Sequence, residues 1–156
     1  MFNLRAAGLY AYLFFKSTIR IMKTQSSLEL SDVKTIAAAA EAEARKNNWA
    51  VSIAIVDAGG HLLHFVRMDA APAISALIAP SKAHTSALGR RESKIYEDVI
   101  NGGRYSFLTV PTVQGMLEGG VPIMKDGFCL GAVGVSGVKS NEDAQIAKAG
   151  IAAIGL

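Results

Sequence analysis

The sequence of 156 residues contains one cysteine, Cys129, and only three histidines, His61, His64 and His84. A single thiol excludes an internal disulfide and a cysteine-based zinc site. The histidines are too few and too scattered to predict a metal cluster. No Gly-x-x-x-x-Gly-Lys-Ser/Thr segment and no Gly-x-Ser-x-Gly segment occurs, so neither a phosphate-binding loop nor a serine-hydrolase nucleophile is predicted.

The chain also lacks a basic stripe that could follow a nucleic-acid backbone. Its net charge is +3, but the first thirty residues carry four Lys or Arg side chains against one Glu. The remainder carries twelve basic and twelve acidic side chains. We therefore expect no nucleic-acid partner.

A long hydrophobic run is missing as well. The apolar run Ala6–Phe15 imitates a signal peptide, but basic residues follow it where a small-residue cleavage site would lie. It is also shorter than the roughly 20 residues needed to span a bilayer. We expect residues 1–27 to be an extension, Met22 to be the natural start, the location to be cytoplasmic and no stable membrane insertion to occur. An uncleaved helix on a membrane surface is the alternative.

The most unusual stretch is the apolar run 126–137, which is bounded by Asp-Gly before and Ser-Gly after and reads as a buried strand. Gly131 and Gly134 lie where bulky side chains normally fill space. A glycine weakens a strand unless another backbone or a ligand approaches it closely. We therefore expect a helix, or else a ligand, to pack directly on this strand.

Hydrophobic periodicity predicts an α+β domain over 28–156, in which a central antiparallel sheet of about five strands is flanked by helices. Gly-bearing turns at 58–60 and 126–127 predict two β-hairpins. Pro80 suits the first turn of a helix. The predicted helices cover 32–48, 81–90, 93–101 and 141–150, with a turn or two at 74–78, and the predicted strands cover 50–57, 61–68, 113–116, 118–124 and the run 126–137.

One group of candidate ligand-binding residues lies at a predicted strand end, where side chains are displayed at the rim of a sheet. Arg67 could bind a carboxylate with two hydrogen bonds, and Asp69 could move a proton. The alternative is a salt bridge between them or across subunits. Met68 is more often a packing residue than an axial ligand.

A second group lies on the helix predicted over 81–90 and in a glycine pair. Lys82 and Thr85 share a helical face and, with the amides of Gly119 and Gly120, could form a small anion-binding pocket. A contact with a neighbouring subunit is the alternative. His84 could ligate haem iron or act as a base, or it could simply be exposed or lie in an interface.

Five segments, taken in order, resemble the GlcG/HbpS-like haem-degrading domain family, which includes the C-terminal domain of PduO-type proteins. The resemblance covers 28–156 and implies a profilin-like layered fold, haem or corrinoid-related binding, and homo-oligomers from dimers to octamers. Members reported to hold haem iron use a histidine of the first helix, whereas 32–48 contains none. The five segments are Ile55–His61, Arg67–Ala71, Lys82–Thr85, Gly119–Pro122 and Gly127–Gly137.

Three functions follow as hypotheses. The first is a protein that binds haem or a related tetrapyrrole and acts in its binding or breakdown, with one pocket formed by both groups of candidate residues and His84 as the iron ligand. The second is a cofactor-independent enzyme that acts on a small carboxylate or carbonyl metabolite, with His84 or Asp69 moving a proton. The third is a corrinoid-handling or oligomeric accessory protein without catalysis.

Overall fold

The computed structural model describes residues 24–111 and 114–156. A 3-10 helix at Tyr105–Thr109 accompanies four α-helices and four strands in this part of the chain. In chain order these are α1 (Leu30–Lys46), β1 (Ser52–Asp57), β2 (Leu62–Arg67), α2 (Ser75–Gly89), α3 (Lys94–Asn101), β3 (Gly120–Lys125), β4 (Phe128–Ser136) and α4 (Ser140–Ala152). Residues 1–23 lie outside the described residues, so the predicted extension and the start at Met22 remain predictions.

The strands form one antiparallel sheet in the order β2-β1-β4-β3. Helices α1 and α4 cover one face and α2 covers the other, which confirms the α+β architecture. The prediction of about five strands was wrong. Residues 114–116 form no strand, because Gly115 lies against the backbone of Ser81 and Lys82 in α2 instead of pairing with the sheet.

Both predicted hairpins are present. The β3–β4 turn is formed by Asp126 and Gly127, whose φ angles of 50° and 80° match the two-residue turns that suit the twist of a hairpin. Pro122 lies in β3, an edge strand of the sheet. A proline is tolerated there because no further strand needs its missing N–H as a hydrogen-bond donor. The turn of the β1–β2 hairpin, at 58–60, lies beside α2, where the Gly60 carbonyl meets the ring of His84.

The two faces of the sheet differ in the size of their side chains. Large branched residues such as Ile53, Ile123 and Val133 pack under α1 and α4. The face under α2 contains Ala54, Val56 and Ala132, and the helix meets it with small residues, which are Ala79, Ala83 and Ala87. A Cβ atom at Gly134 would overlap the backbone of Ala79 and Ala83. The prediction that a helix packs directly on the glycine-bearing strand is therefore confirmed.

The boundary of α2 differs from the prediction. Pro80 does not begin a helix but lies inside a single helix that starts at Ser75. A proline in a helix interior removes one intrahelical hydrogen bond and usually destabilises the helix. Here Ala79 and Ala83, on either side of Pro80 along the helix, are fully buried against the sheet. Packing against the sheet therefore outweighs the local preference.

A buried ion pair connects the helices on opposite faces of the sheet. The Lys82 ammonium, on α2, donates to Asp143 Oδ2 of α4 at 2.8 Å and to the carbonyl of Val135 at 3.0 Å. The two side chains are 4% and 2% exposed. Gly119 lies beside the pair, and a Cβ atom there would stand 2.8 Å from Lys82 Nζ. The absence of a side chain at Gly119 therefore leaves room for Lys82 to reach α4.

No helix within the two described ranges is both long enough and apolar enough to cross a membrane.

Gly134→Ala should lower the free energy of unfolding by about 2 kcal/mol or more, because the added methyl group meets helix backbone that cannot rotate away. Urea denaturation of both proteins measures this difference. Gly102→Ala is the matched control, because Gly102 has an ordinary φ of −73° at the end of α3 and its nearest neighbour would stand 3.2 Å from the methyl group. Equal effects of the two substitutions would show that α2 does not pack tightly on β4.

Asp143→Asn should lower the free energy of unfolding by about 3–5 kcal/mol, because it leaves the buried Lys82 ammonium without its counter-charge. The double variant Lys82→Met with Asp143→Leu should recover most of that loss, since it removes both charges together. Asp98→Asn, which breaks the exposed ion pair between Lys94 and Asp98, should cost less than about 1 kcal/mol. The double-mutant cycle consists of Lys82→Met, Asp143→Leu and this double variant, and additive single effects in it would contradict the coupling.

Candidate functional site

The imidazole of His84 lies at the turn of the β1–β2 hairpin. Its Nδ1 atom stands 3.2 Å from the carbonyl oxygen of Gly60. Since a carbonyl oxygen only accepts, the ring donates its Nδ1–H there, and in the neutral ring Nε2 is then the nitrogen that carries the lone pair. Gly60 has a φ of 81°, and a Cβ atom at this position would overlap the ring. The turn therefore fixes both the tautomer and the orientation of His84.

Asp57 holds this turn in place. Its Oδ1 accepts the backbone N–H of Gly59 at 2.8 Å and that of His61 at 2.9 Å, and the exposed ring of His61 stands 3.1 Å from Oδ2. Burial acts to raise the pKa of Asp57, but these hydrogen bonds hold the pKa below its ordinary value. The ionised carboxylate thus stabilises the turn that positions the Gly60 carbonyl, and through it His84.

An open groove of about 300 Å³ runs beside His84. Its walls are mostly apolar, and two further polar side chains, Ser81 and Gln114, also line it. The other lining residues are Val56, Gly60, Leu62, Pro80 and Pro111. The groove therefore combines a free imidazole nitrogen with an apolar surface on which a flat hydrophobic molecule could lie.

Lys82 lies away from this groove. Its neighbours are Gly119 and Gly120, whose amides were expected to form an anion-binding pocket with it. Its ammonium group is bound to Asp143, however, and the amide of Gly120 donates to Ser93 Oγ at 2.8 Å. Burial raises the pKa of the Asp143 carboxyl, against the opposite effect of the hydrogen bond and charge of Lys82. An anion could bind here only by displacing Asp143.

Thr85 faces a third direction, towards α3 and the 3-10 helix. It is 1% exposed and lines an apolar cavity of about 180 Å³ that is separate from the groove of His84. Its hydroxyl oxygen has no hydrogen-bond partner among the residues that the structure describes. Thr85 and Lys82 therefore do not build a common anion pocket.

Arg67, Met68 and Asp69 lie at the far end of the sheet. Arg67 donates from Nε and Nη2 to the carbonyl of Ala71 at 3.1 and 2.8 Å, which closes the loop after β2. Met68 and Asp69 line a separate open depression of about 410 Å³ together with Trp49. Leu62, in the groove of His84, begins β2 and Arg67 ends it, so the two places are about 16 Å apart at roughly 3.3 Å per residue.

The candidate residues therefore occupy four separate places instead of one pocket. His84 lines the groove and Thr85 lines the cavity. Lys82 belongs to the buried ion pair, beside Gly119 and Gly120. The far end of the sheet contains Arg67, Met68 and Asp69. The structure brings His84 together with none of the other candidates in the lining of its groove. Among the described residues no cluster of His, Cys, Asp and Glu could hold a metal ion.

Sequence reasoning missed two buried residues. In the sequence, Asp143 is explained by a favourable charge in the first turn of the helix predicted over 141–150, and nothing nearby indicates that a lysine 61 residues away would bind it. Ser93 was expected only at the start of a helix. Its hydroxyl also accepts the amide of Gly120, and its own N–H donates to the Gly120 carbonyl at 3.0 Å, which attaches α3 to the edge strand β3.

The chain has several relatives among known proteins. A family model described as haem degrading protein HbpS-like matches residues 28–152. The protein GlcG of Escherichia coli K12 is 53% identical over 115 residues, which cover 74% of this chain and 85% of GlcG.

Two solved structures are also similar. The protein ORFY of Klebsiella pneumoniae has a TM-score of 0.80 and 27% sequence identity, covering 88% of this chain and 98% of that one. A structure described as a PduOC:haem complex has a TM-score of 0.72 and 31% identity, covering 82% and 95% of the two chains. These matches confirm the resemblance that the sequence motifs indicated. The chain belongs to the HbpS-like family of haem-degrading proteins.

Proposed function

We propose that this chain binds haem, or a related tetrapyrrole, in the groove beside His84, with Nε2 of His84 as the iron ligand. The observation that carries the proposal is the hydrogen bond between Nδ1 and the Gly60 carbonyl, because in the neutral ring it assigns the lone pair to Nε2 and it fixes the orientation of the ring. The description of the family and the haem complex of the PduOC structure support the same ligand class.

The residues present fit such a group. Imidazole is a common axial ligand of haem iron, and the apolar walls suit the faces of a macrocycle. The groove is open on one side, so a ligand larger than the groove can lie across it. Bound haem would supply redox chemistry, whereas the part of His84, Gly60 and Asp57 is to hold and orient the ligand. Breakdown of the bound haem is a second part of the proposal, separate from binding, and is tested separately.

The enzyme hypothesis finds less support. A carboxylate substrate would need a free cationic group, but Lys82 is buried and bound to Asp143, and Arg67 donates from Nε and Nη2 to the Ala71 carbonyl. Asp69 and His84, the two candidate acid–base residues, lie at opposite ends of the sheet. The corrinoid-handling hypothesis involves a ligand of the same chemical class as haem, and the titrations described below distinguish the two ligands. No specific observation favours catalysis on a small carboxylate.

The remaining expectations stay predictions. These are the profilin-like description of the fold, a cytoplasmic location, and a homo-oligomer between a dimer and an octamer. Large apolar side chains on the outer side of α2 support association, because Leu77 is 74% and Leu88 44% exposed.

Titration of the purified protein with haemin should give a saturable shift of the Soret band with about one haem per chain. His84→Ala should weaken binding by about tenfold or more, which corresponds to about 1.4 kcal/mol, because the iron loses its protein ligand. Added imidazole should restore the shifted band in this variant by occupying the place of the side chain.

His61→Ala is the matched control, because it removes an exposed imidazole near the same turn. It should bind haemin like the parent protein. Equal weakening in both variants would assign the effect to the turn instead of to the ligand. A flat titration of the parent protein would reject the proposal, and a parallel titration with a corrinoid would then test the related ligand.

A further inference from the structure

The open depression at the far end of the sheet is lined by charged side chains of both signs. It has a volume of about 410 Å³ and lies between the end of α1 and the end of β2. The N–H of Met68 donates to the Val51 carbonyl at 3.0 Å, which brings these two parts of the chain together. The depression shares no lining residue with the groove of His84. Its lining residues are Arg45, Asn48, Trp49, Ala50, Met68 and Asp69.

Asp69 lies in a tight turn whose backbone is firmly held. The N–H of Ala71 donates to the Met68 carbonyl at 3.1 Å, so Asp69 and Ala70 are the central residues of the turn. Arg67 closes the turn by donating twice to the Ala71 carbonyl. Ala70 has a φ of 66°, in the left-handed region that residues other than glycine rarely adopt. The backbone that carries Asp69 is therefore fixed, although the residue itself is exposed.

The carboxylate of Asp69 takes no part in holding this turn. Among the residues that the structure describes, it accepts no hydrogen bond and forms no ion pair, and it lines the depression. Because the turn already fixes the position of the carboxylate, a ligand that binds it loses little free energy to the ordering of the protein.

The opposite side of the depression carries a positive charge and an aromatic ring. Arg45 donates from Nη2 to Glu41 Oε2 at 3.3 Å, and a guanidinium group has further N–H donors that a ligand can use. Trp49 packs against the main core, and its backbone N–H donates to the Ala44 carbonyl at 2.9 Å. The indole therefore forms a fixed surface beside the two charged side chains.

The two charges determine the charge of a suitable ligand. Arg45 and Asp69 line the same depression but form no ion pair with each other. A cation would be attracted by Asp69 and repelled by Arg45, and an anion would experience the reverse. A molecule that carries both charges gains both attractions. We propose that this depression is a second binding site, independent of His84, for a small zwitterion whose ammonium group lies at Asp69 and whose carboxylate lies at Arg45.

Tryptophan fluorescence can test the site, because Trp49 is the only tryptophan of the chain. Leucine should change the emission saturably. Isopentylamine lacks the carboxylate of leucine, and isocaproate lacks its amino group. Both should bind more weakly than leucine by about fivefold or more, which corresponds to about 1 kcal/mol, the upper range for an exposed ion pair. His84→Ala should bind leucine like the parent protein, because the groove takes no part.

Asp69→Asn keeps the size of the side chain and removes its charge. It should weaken leucine binding about fivefold and remove the difference between leucine and isocaproate. Arg45→Gln should remove the difference between leucine and isopentylamine. Glu41→Gln is the matched control, because it breaks the same exposed ion pair but keeps the guanidinium, and it should not weaken binding. Asp98→Asn, which removes an exposed carboxylate on α3, should also bind leucine like the parent protein.

Two results would contradict the proposal. An emission of Trp49 that responds neither to leucine nor to glycine, up to the solubility of each, would overturn the site. Equal affinities for leucine and its two analogues, or an unchanged affinity in Asp69→Asn, would overturn the recognition of a zwitterion. Neither result depends on the haemin titration, which tests the groove of His84 alone.

Discussion

The direct packing of α2 on the backbone of β4 is the constraint on which the rest of the structure depends. Gly134 has no side chain, and the alanines of α2 and the sheet let the helix axis approach closely. Helix position and rotation are therefore fixed by backbone contact instead of by flexible side chains. Because α2 carries His84, Lys82 and Thr85, the same contact fixes where each of these side chains emerges. The far end of the sheet, with Arg67 and Asp69, lies outside this arrangement.

The ion pair of Lys82 and Asp143 is best understood as a connection between the two helix layers. Burying two charges costs much of what their attraction returns, so a pair of this kind is a weak source of net stability. It does penalise any arrangement in which α2 and α4 shift relative to each other, because either charge would then be buried alone. A side chain at Gly119 would collide with both members of the pair, since a Cβ atom there would stand 2.8 Å from Lys82 Nζ and 2.9 Å from Asp143 Cβ. The pair therefore favours one register of the two layers, and it explains a buried lysine without any ligand.

Local signals in the sequence predicted local structure well. The pair Asp126 and Gly127 suits the positive φ angles of a tight hairpin turn, and Gly134 within an apolar strand suggests a close neighbour, so a turn and a helix contact could be inferred from a few residues. The errors have tertiary causes. Pro80 lies inside a helix because buried alanines surround it. Residues 114–116 form no fifth strand, because Gly115 packs against the backbone of α2. The single predicted pocket failed for a related reason, since spacing along the chain does not give the direction of a side chain around a helix or its distance along a strand.

The segment Lys82–Thr85 makes this last point concrete. Successive residues of an α-helix are about 100° apart, so four in a row point to four different surroundings. Ala83 faces the sheet, Lys82 passes its end, His84 reaches the hairpin turn and Thr85 faces the cavity under α3. A motif of this kind does not describe one pocket. Its apolar member sets the distance of the helix from the sheet, and that distance determines where the imidazole meets the hairpin turn.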